Sequence, residues 1–124
     1  MTVVLCGCNI ASIGPRPTFL VATTSASPGF GFNARLQGKL QGKTNSDGTA
    51  CFFVTQGSLR TILVWPQGYL ARGNPLEVLN ENGHSIGQIG QEIALRGGLG
   101  QTGLVAGCGN AAQTFAVAEV VPLN

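Results

Sequence analysis

Charge is what this chain has least of. Asp, Glu, Lys and Arg make up 10% of its 124 residues, against roughly a quarter in soluble domains. The formal net charge is only +2, so no global field draws the protein to nucleic acid or to a membrane surface. The polar surface must be built from Gln, Asn, Thr, Ser and backbone, which guards weakly against association. We expect either a setting outside the cytosol or at a wall, or burial of surface in an oligomer or larger assembly. Self-association or a protein partner is the expected interaction.

Long apolar runs are also missing. No stretch reaches the roughly 18 residues of a spanning helix, so no transmembrane segment is expected. Catalytic groups are scarce. The acids are Asp47, Glu77, Glu81, Glu92 and Glu119, and the only histidine is His84. No two acids are spaced for paired acid–base work, and no serine occupies a Gly-x-Ser-x-Gly elbow. Cys108 between two glycines, with His84 as base, is the nearest approach to a nucleophilic pair, and loop packing or a disulfide explains those glycines more simply. The segment Gly97-Gly98-Leu99-Gly100-Gln101-Thr102-Gly103 is dense in glycine but lacks the Gly-Lys-Ser/Thr ending of a phosphate loop. No catalytic residue, metal site or cofactor is predicted.

Glycine and cysteine are present in quantity. The 19 glycines follow no collagen period, so they mark turns and bulges. Four cysteines stand at Cys6, Cys8, Cys51 and Cys108. Cys6 and Cys8 are too close to bridge with ordinary geometry and supply only two of the four ligands of a zinc site. Leu5-Cys6-Gly7-Cys8 looks like a lipobox, which makes Cys8 a secondary candidate for lipidation. However, residues 1–4 supply neither a basic start nor a long apolar stretch. Cys51 and Cys108 can bridge in an oxidising compartment, or pack as two buried free thiols. A bridge closing so long a loop stabilises by roughly 3–5 kcal/mol in the chain-entropy model.

The hydrophobic period is two wherever it is clear. From Phe30 to Lys43, Phe30, Phe32, Ala34, Leu36, Gly38, Leu40 and Gly42 share one face, and Asn33, Arg35, Gln37, Lys39, Gln41 and Lys43 share the other. That is a strand with one wet side. Asn45-Ser46-Asp47-Gly48 turns the chain, and residues 50–56 return as the hairpin partner. Further strands are predicted at 18–24, 59–65, 76–79, 84–89, 91–96 and 114–120. Pro66-Gln67-Gly68 and Asn82-Gly83 are turns. Residues 97–110 read as a long loop, with room for one helical turn at 109–113. The expected fold is an all-β small antiparallel barrel or sandwich of seven to eight short strands, OB-like as one possibility. Residues 1–17 form a tail or edge strand, and 18–124 a single β-barrel domain.

The run from Trp65 to Gly98 carries a WP-x-G-Y…G…G…GG pattern, followed by the Cys-Gly at 108–109. It resembles a group of small bacterial exported or lipoprotein-like β-barrel proteins over about residues 34–121. The resemblance rests on Cys51, Trp65, Pro66, Gly68, Tyr69, Gly83, Gly90, Gly97, Gly98 and Cys108. It implies a compact barrel and an exported or lipid-anchored setting, and brings no activity with it.

The leading expectation is a non-enzymatic structural or interaction module, extracytoplasmic or part of an assembly. Two alternatives have named residues. Arg35, Lys39 and Lys43 can track a phosphate backbone in an OB-like single-strand binder, with Phe53 or Trp65 stacking bases. Trp65 and Tyr69, flanking the Pro66 turn, can instead line the mouth of a small-ligand barrel, or plug its core.

Overall fold

A computed structural model describes residues 16–24, 33–100 and 103–123. The strands run β1 (Thr18–Leu20), β2 (Thr23–Thr24), β3 (Ala34–Thr44), β4 (Ala50–Gln56), β5 (Leu59–Pro66) and β6 (Leu70–Arg72). After them come β7 (Glu77–Leu79), β8 (Ser85–Gln88), β9 (Glu92–Leu99), β10 (Gly103–Val105), β11 (Gly109–Ala111) and β12 (Thr114–Val121). The protein is all-β, built on a closed five-stranded barrel. Twelve strands appear among the described residues, more than the seven or eight predicted. Short strands of two or three residues, stitched by turns, leave little periodic signal.

The barrel grows from the alternation in β3. Leu36 and Leu40 are buried, whereas Arg35, Lys39 and Lys43 on the opposite face are exposed. The first half of β3 pairs antiparallel with β9 and the second half with β4; Lys39 stands at the junction, opposite both Glu92 and Thr55. Leaning one long strand into two neighbours bends the sheet toward closure. At the inward position Gly42, an added Cβ would come 2.9 Å from the Phe52 ring, so the missing side chain lets Phe52 lie across β3.

β4 pairs antiparallel with β5, β9 antiparallel with β12, and β12 closes the ring by pairing parallel with β5 at Ile62, Leu63 and Val64. The first barrel strand thus touches the second and fourth, and the third touches the fifth. This is the connectivity of an OB-type Greek-key barrel. A register shift between Val117 and Glu119 marks a bulge in β12, which adds bend and twist where the ring must close. Closure leaves these five strands no open edge, which suits a chain with few charges to defend one.

Inside lie Leu36, Leu40, Phe52, Val54, Leu63, Trp65, Leu95, Phe115 and Val117. Fully burying a side chain such as Phe52 or Phe115 stabilises by roughly 1.5–3 kcal/mol. A second sheet, ordered β1-β6-β7-β8, takes β6 to β8 from between the third and fourth barrel strands and β1 from ahead of the first, and adds Ala71, Leu76 and Val78 to the same core. Residues 18–24, predicted as one strand, divide: β1 pairs with β6, and β2 pairs parallel with β5 beside Trp65. The segment is a strap across both sheets, with Leu20 N–H donating to Gly48 O and Trp65 N–H to Ala22 O. Residues 97–110 are not a loop either. β9 runs on to Leu99, and β10 and β11 form a hairpin. Most of the predicted tail, residues 1–15, and Phe30, Phe32 and Cys8 lie outside the described residues. No helix among the described residues is long and apolar enough to cross a membrane.

Candidate functional site

The outer face of β4 and β5 lies beside the β3–β4 turn and the β9–β12 connection. Phe53 is half-buried there, with the Arg60 guanidinium 4.8 Å from its ring centroid. The remainder is covered. The β10–β11 hairpin lies over Ile62 and Cys51, packing Ala111, Val105 and Cys108 against them. Cys51 and Cys108 are joined in a disulfide, 57 residues apart in sequence with Cα atoms 5.1 Å apart. Asn45 Nδ2 donates to Gly107 O, and Gln113 Nε2 donates to Thr61 Oγ1. The hairpin is therefore pinned covalently at its turn and by hydrogen bonds on two sides. The Cys108 sulfur is committed to this bridge and is not a free thiol.

The cationic face of β3 is laid out as its alternation predicts, but its members differ. Arg35 is occupied: one Nη2 donates to Pro122 O and to Gln37 Oε1. Its cross-strand neighbour Arg96 is joined to Glu119. Lys39 stands opposite Glu92. Lys43 stands opposite Cys51, which is uncharged. The three cations share a face without converging on one point.

Trp65 and Tyr69 do meet. Their rings stack with centroids 6.0 Å apart, and Phe52 meets the indole edge-on at 6.2 Å. Trp65 has no exposed surface, so it cannot line an open mouth; only the half-buried Tyr69 can touch a ligand from outside. The stack instead fills the core where the strap crosses β5. Burial holds the Tyr69 phenol above its ordinary pKa, and Glu81 adds to the effect.

A charged cluster lies where sequence reasoning placed none. Glu77 is buried, and its Oε2 bonds Arg16 at 2.9 Å and Arg72 at 2.8 Å. Ser85 is the largest influence on the Glu77 carboxyl, hydrogen-bonding to it and holding its pKa low against the opposing cost of burial; Arg72 and Arg16 lower it further. Arg16 also donates to Gly73 O and Pro75 O. One side chain thus ties the N-terminal strap to the β6–β7 connection, in which Asn74 is left-handed (φ 59°) and the Asn74–Pro75 peptide is cis. The partners of Glu77 lie 61 and five residues away, so no local spacing reveals them; the Gly73-Asn74-Pro75 turn is the only sequence signal nearby.

Beside that turn is an open groove of about 460 Å³ between the strap, the end of β3 and residues 73–76. His84 is exposed in the β7–β8 turn, where its backbone N–H bonds Asn80 Oδ1. Asp47 accepts from the Thr49 hydroxyl and N–H, which keep its carboxyl below the usual range. Among the described residues no three metal-binding side chains come together. Compared with protein-family models, curated proteins and solved structures, the chain matches none.

Proposed function

We propose that this protein is a non-enzymatic interaction module that works outside the cytoplasm. The observation that carries the reading is the Cys51–Cys108 bridge clamping the β10–β11 hairpin to the barrel. Disulfides of this structural kind persist in oxidising compartments and are rare where glutathione and thioredoxin keep thiols reduced. The surface supports the same reading. It carries few charges, and large apolar side chains stand exposed on it, Leu104 at 86% and Leu99 at 71%. Leu104 lies in β10 of the clamped hairpin and Leu99 ends β9 just before it, and the two give a partner apolar area to cover. Low charge also lowers the electrostatic barrier to self-association.

The test is thiol trapping. Cells making the native protein are quenched in acid and alkylated, and the Cys51 and Cys108 peptides are analysed by mass spectrometry. The expected result is a bridged pair, with the protein recovered from the extracytoplasmic fraction. Two alkylated cysteines in a cytoplasmic protein would overturn the proposal.

A further inference from the structure

We infer that the groove between the strap, the end of β3 and the 73–76 turn is a binding site for a small amphipathic monocarboxylate, an apolar body ending in one anionic group. This goes beyond the interaction module proposed above and does not depend on the compartment.

Three observations meet at the groove. Half of its lining residues are apolar, among them Phe19 from the strap, Pro75 and Leu76 from the turn, and Ile89 after β8. Ile89 is 36% exposed there, a large apolar side chain left partly in water. At about 460 Å³ the groove falls at the lower end of the range for small-molecule sites, the size of one ligand rather than of a folded partner. Among its lining residues only Lys43 is charged, and Thr44 adds a hydroxyl next to it.

The electrostatics select the sign of the ligand. Lys43 is exposed, faces neutral Cys51 across the ladder and has no carboxylate partner among the described residues. Behind the turn, Arg16 and Arg72 share the single carboxylate of Glu77. Three cations against one anion leave a local excess of two positive charges, equal to the formal net charge of the entire chain. A molecule whose anionic group meets Lys43 while its apolar body covers Phe19, Leu76 and Ile89 satisfies both features. A neutral apolar ligand leaves the charge unused. A polyanion gains nothing from the apolar walls.

The experiment is a titration of the full-length, isotopically labelled protein followed by amide NMR shifts. The probes are sodium octanoate and, as its uncharged counterpart, 1-octanol. Octanoate is expected to shift the amides of Gly42, Lys43, Gly73, Leu76 and Ile89, and to bind up to about fivefold more tightly than octanol, the scale of one exposed charge contact. Lys43→Gln, at an exposed position, is expected to erase that preference while leaving the unfolding temperature unchanged. Ile89→Asp should weaken both probes. The inference is overturned if octanoate at millimolar concentration leaves these amides unmoved. It is equally overturned if octanol binds as well as octanoate, or if Lys43→Gln keeps the preference in a folded protein.

Discussion

At Gly97 the barrel leaves no space for a methyl group. A Cβ there would fall 2.0 Å from the Ala116 carbonyl oxygen and 3.0 Å from the Phe115 ring. The obstacle is backbone of the neighbouring strand, which cannot swing aside as a side-chain tip would. Gly97→Ala should therefore destabilise the fold by about 2–3 kcal/mol, the upper part of the range for overpacking, read as an earlier midpoint in urea unfolding. A midpoint matching the native protein would show that β9 and β12 approach less closely. Gly97 stood out in the sequence only as one of several glycines in a run. What it does could not be read there, because the atom it avoids lies on β12, 19 residues onward. Lys43 differs in the same way from Arg35 and Lys39. All three were legible as one wet face, but the partner opposite each depends on strand register.

Among elements, the β10–β11 hairpin is the least self-sufficient. It pairs over three residues on each side, and a two-stranded hairpin of that length is marginal alone. The disulfide, Asn45 and Gln113 hold it to the barrel. In a Cys51→Ala/Cys108→Ala variant the loss is expected to be about 4 kcal/mol by the chain-entropy model. Amide exchange should quicken first and most in residues 103–111, ahead of β4 and β5. Uniform acceleration across the barrel would refute a local role for the clamp. This hairpin was missed in the sequence for the same reason that it needs the clamp: glycines interrupt its alternation and leave too few apolar residues to register a strand. The barrel strands were legible because each buries one alternating face, β3 most clearly. The division of residues 18–24 between two sheets was not, since both halves share one composition.

For the molecule as a whole, acid should loosen the join between strap and second sheet. The Glu77 carboxyl is held below its ordinary value of 4.5 by Ser85, then by Arg72 and Arg16. A carboxyl with a lower pKa in the folded state than in the unfolded one contributes stability above the unfolded value. That contribution is lost as pH falls through the folded value. The unfolding temperature should thus drop from about pH 5 downward. Glu77→Gln should be less stable at neutral pH, by about 1–3 kcal/mol for an arginine pair left short of its acceptor, and flatter across the acid range. Parallel acid curves for the two proteins would remove Glu77 from the account.

Fold class and closure could be anticipated from short alternating strands in a chain with little charge. The order in which the strands meet could not, because β5 and β12 pair across a stretch that holds three of the four strands of the second sheet. That parallel pairing has a consequence during synthesis. β12 is made after both of its partners, and it supplies the missing neighbour to β5 and β9. Until residues 114–121 have left the ribosome, both of those strands carry an unfilled side. Before then the other four barrel strands can form only an unsealed sheet, and the emergence of β12 turns that sheet into a ring.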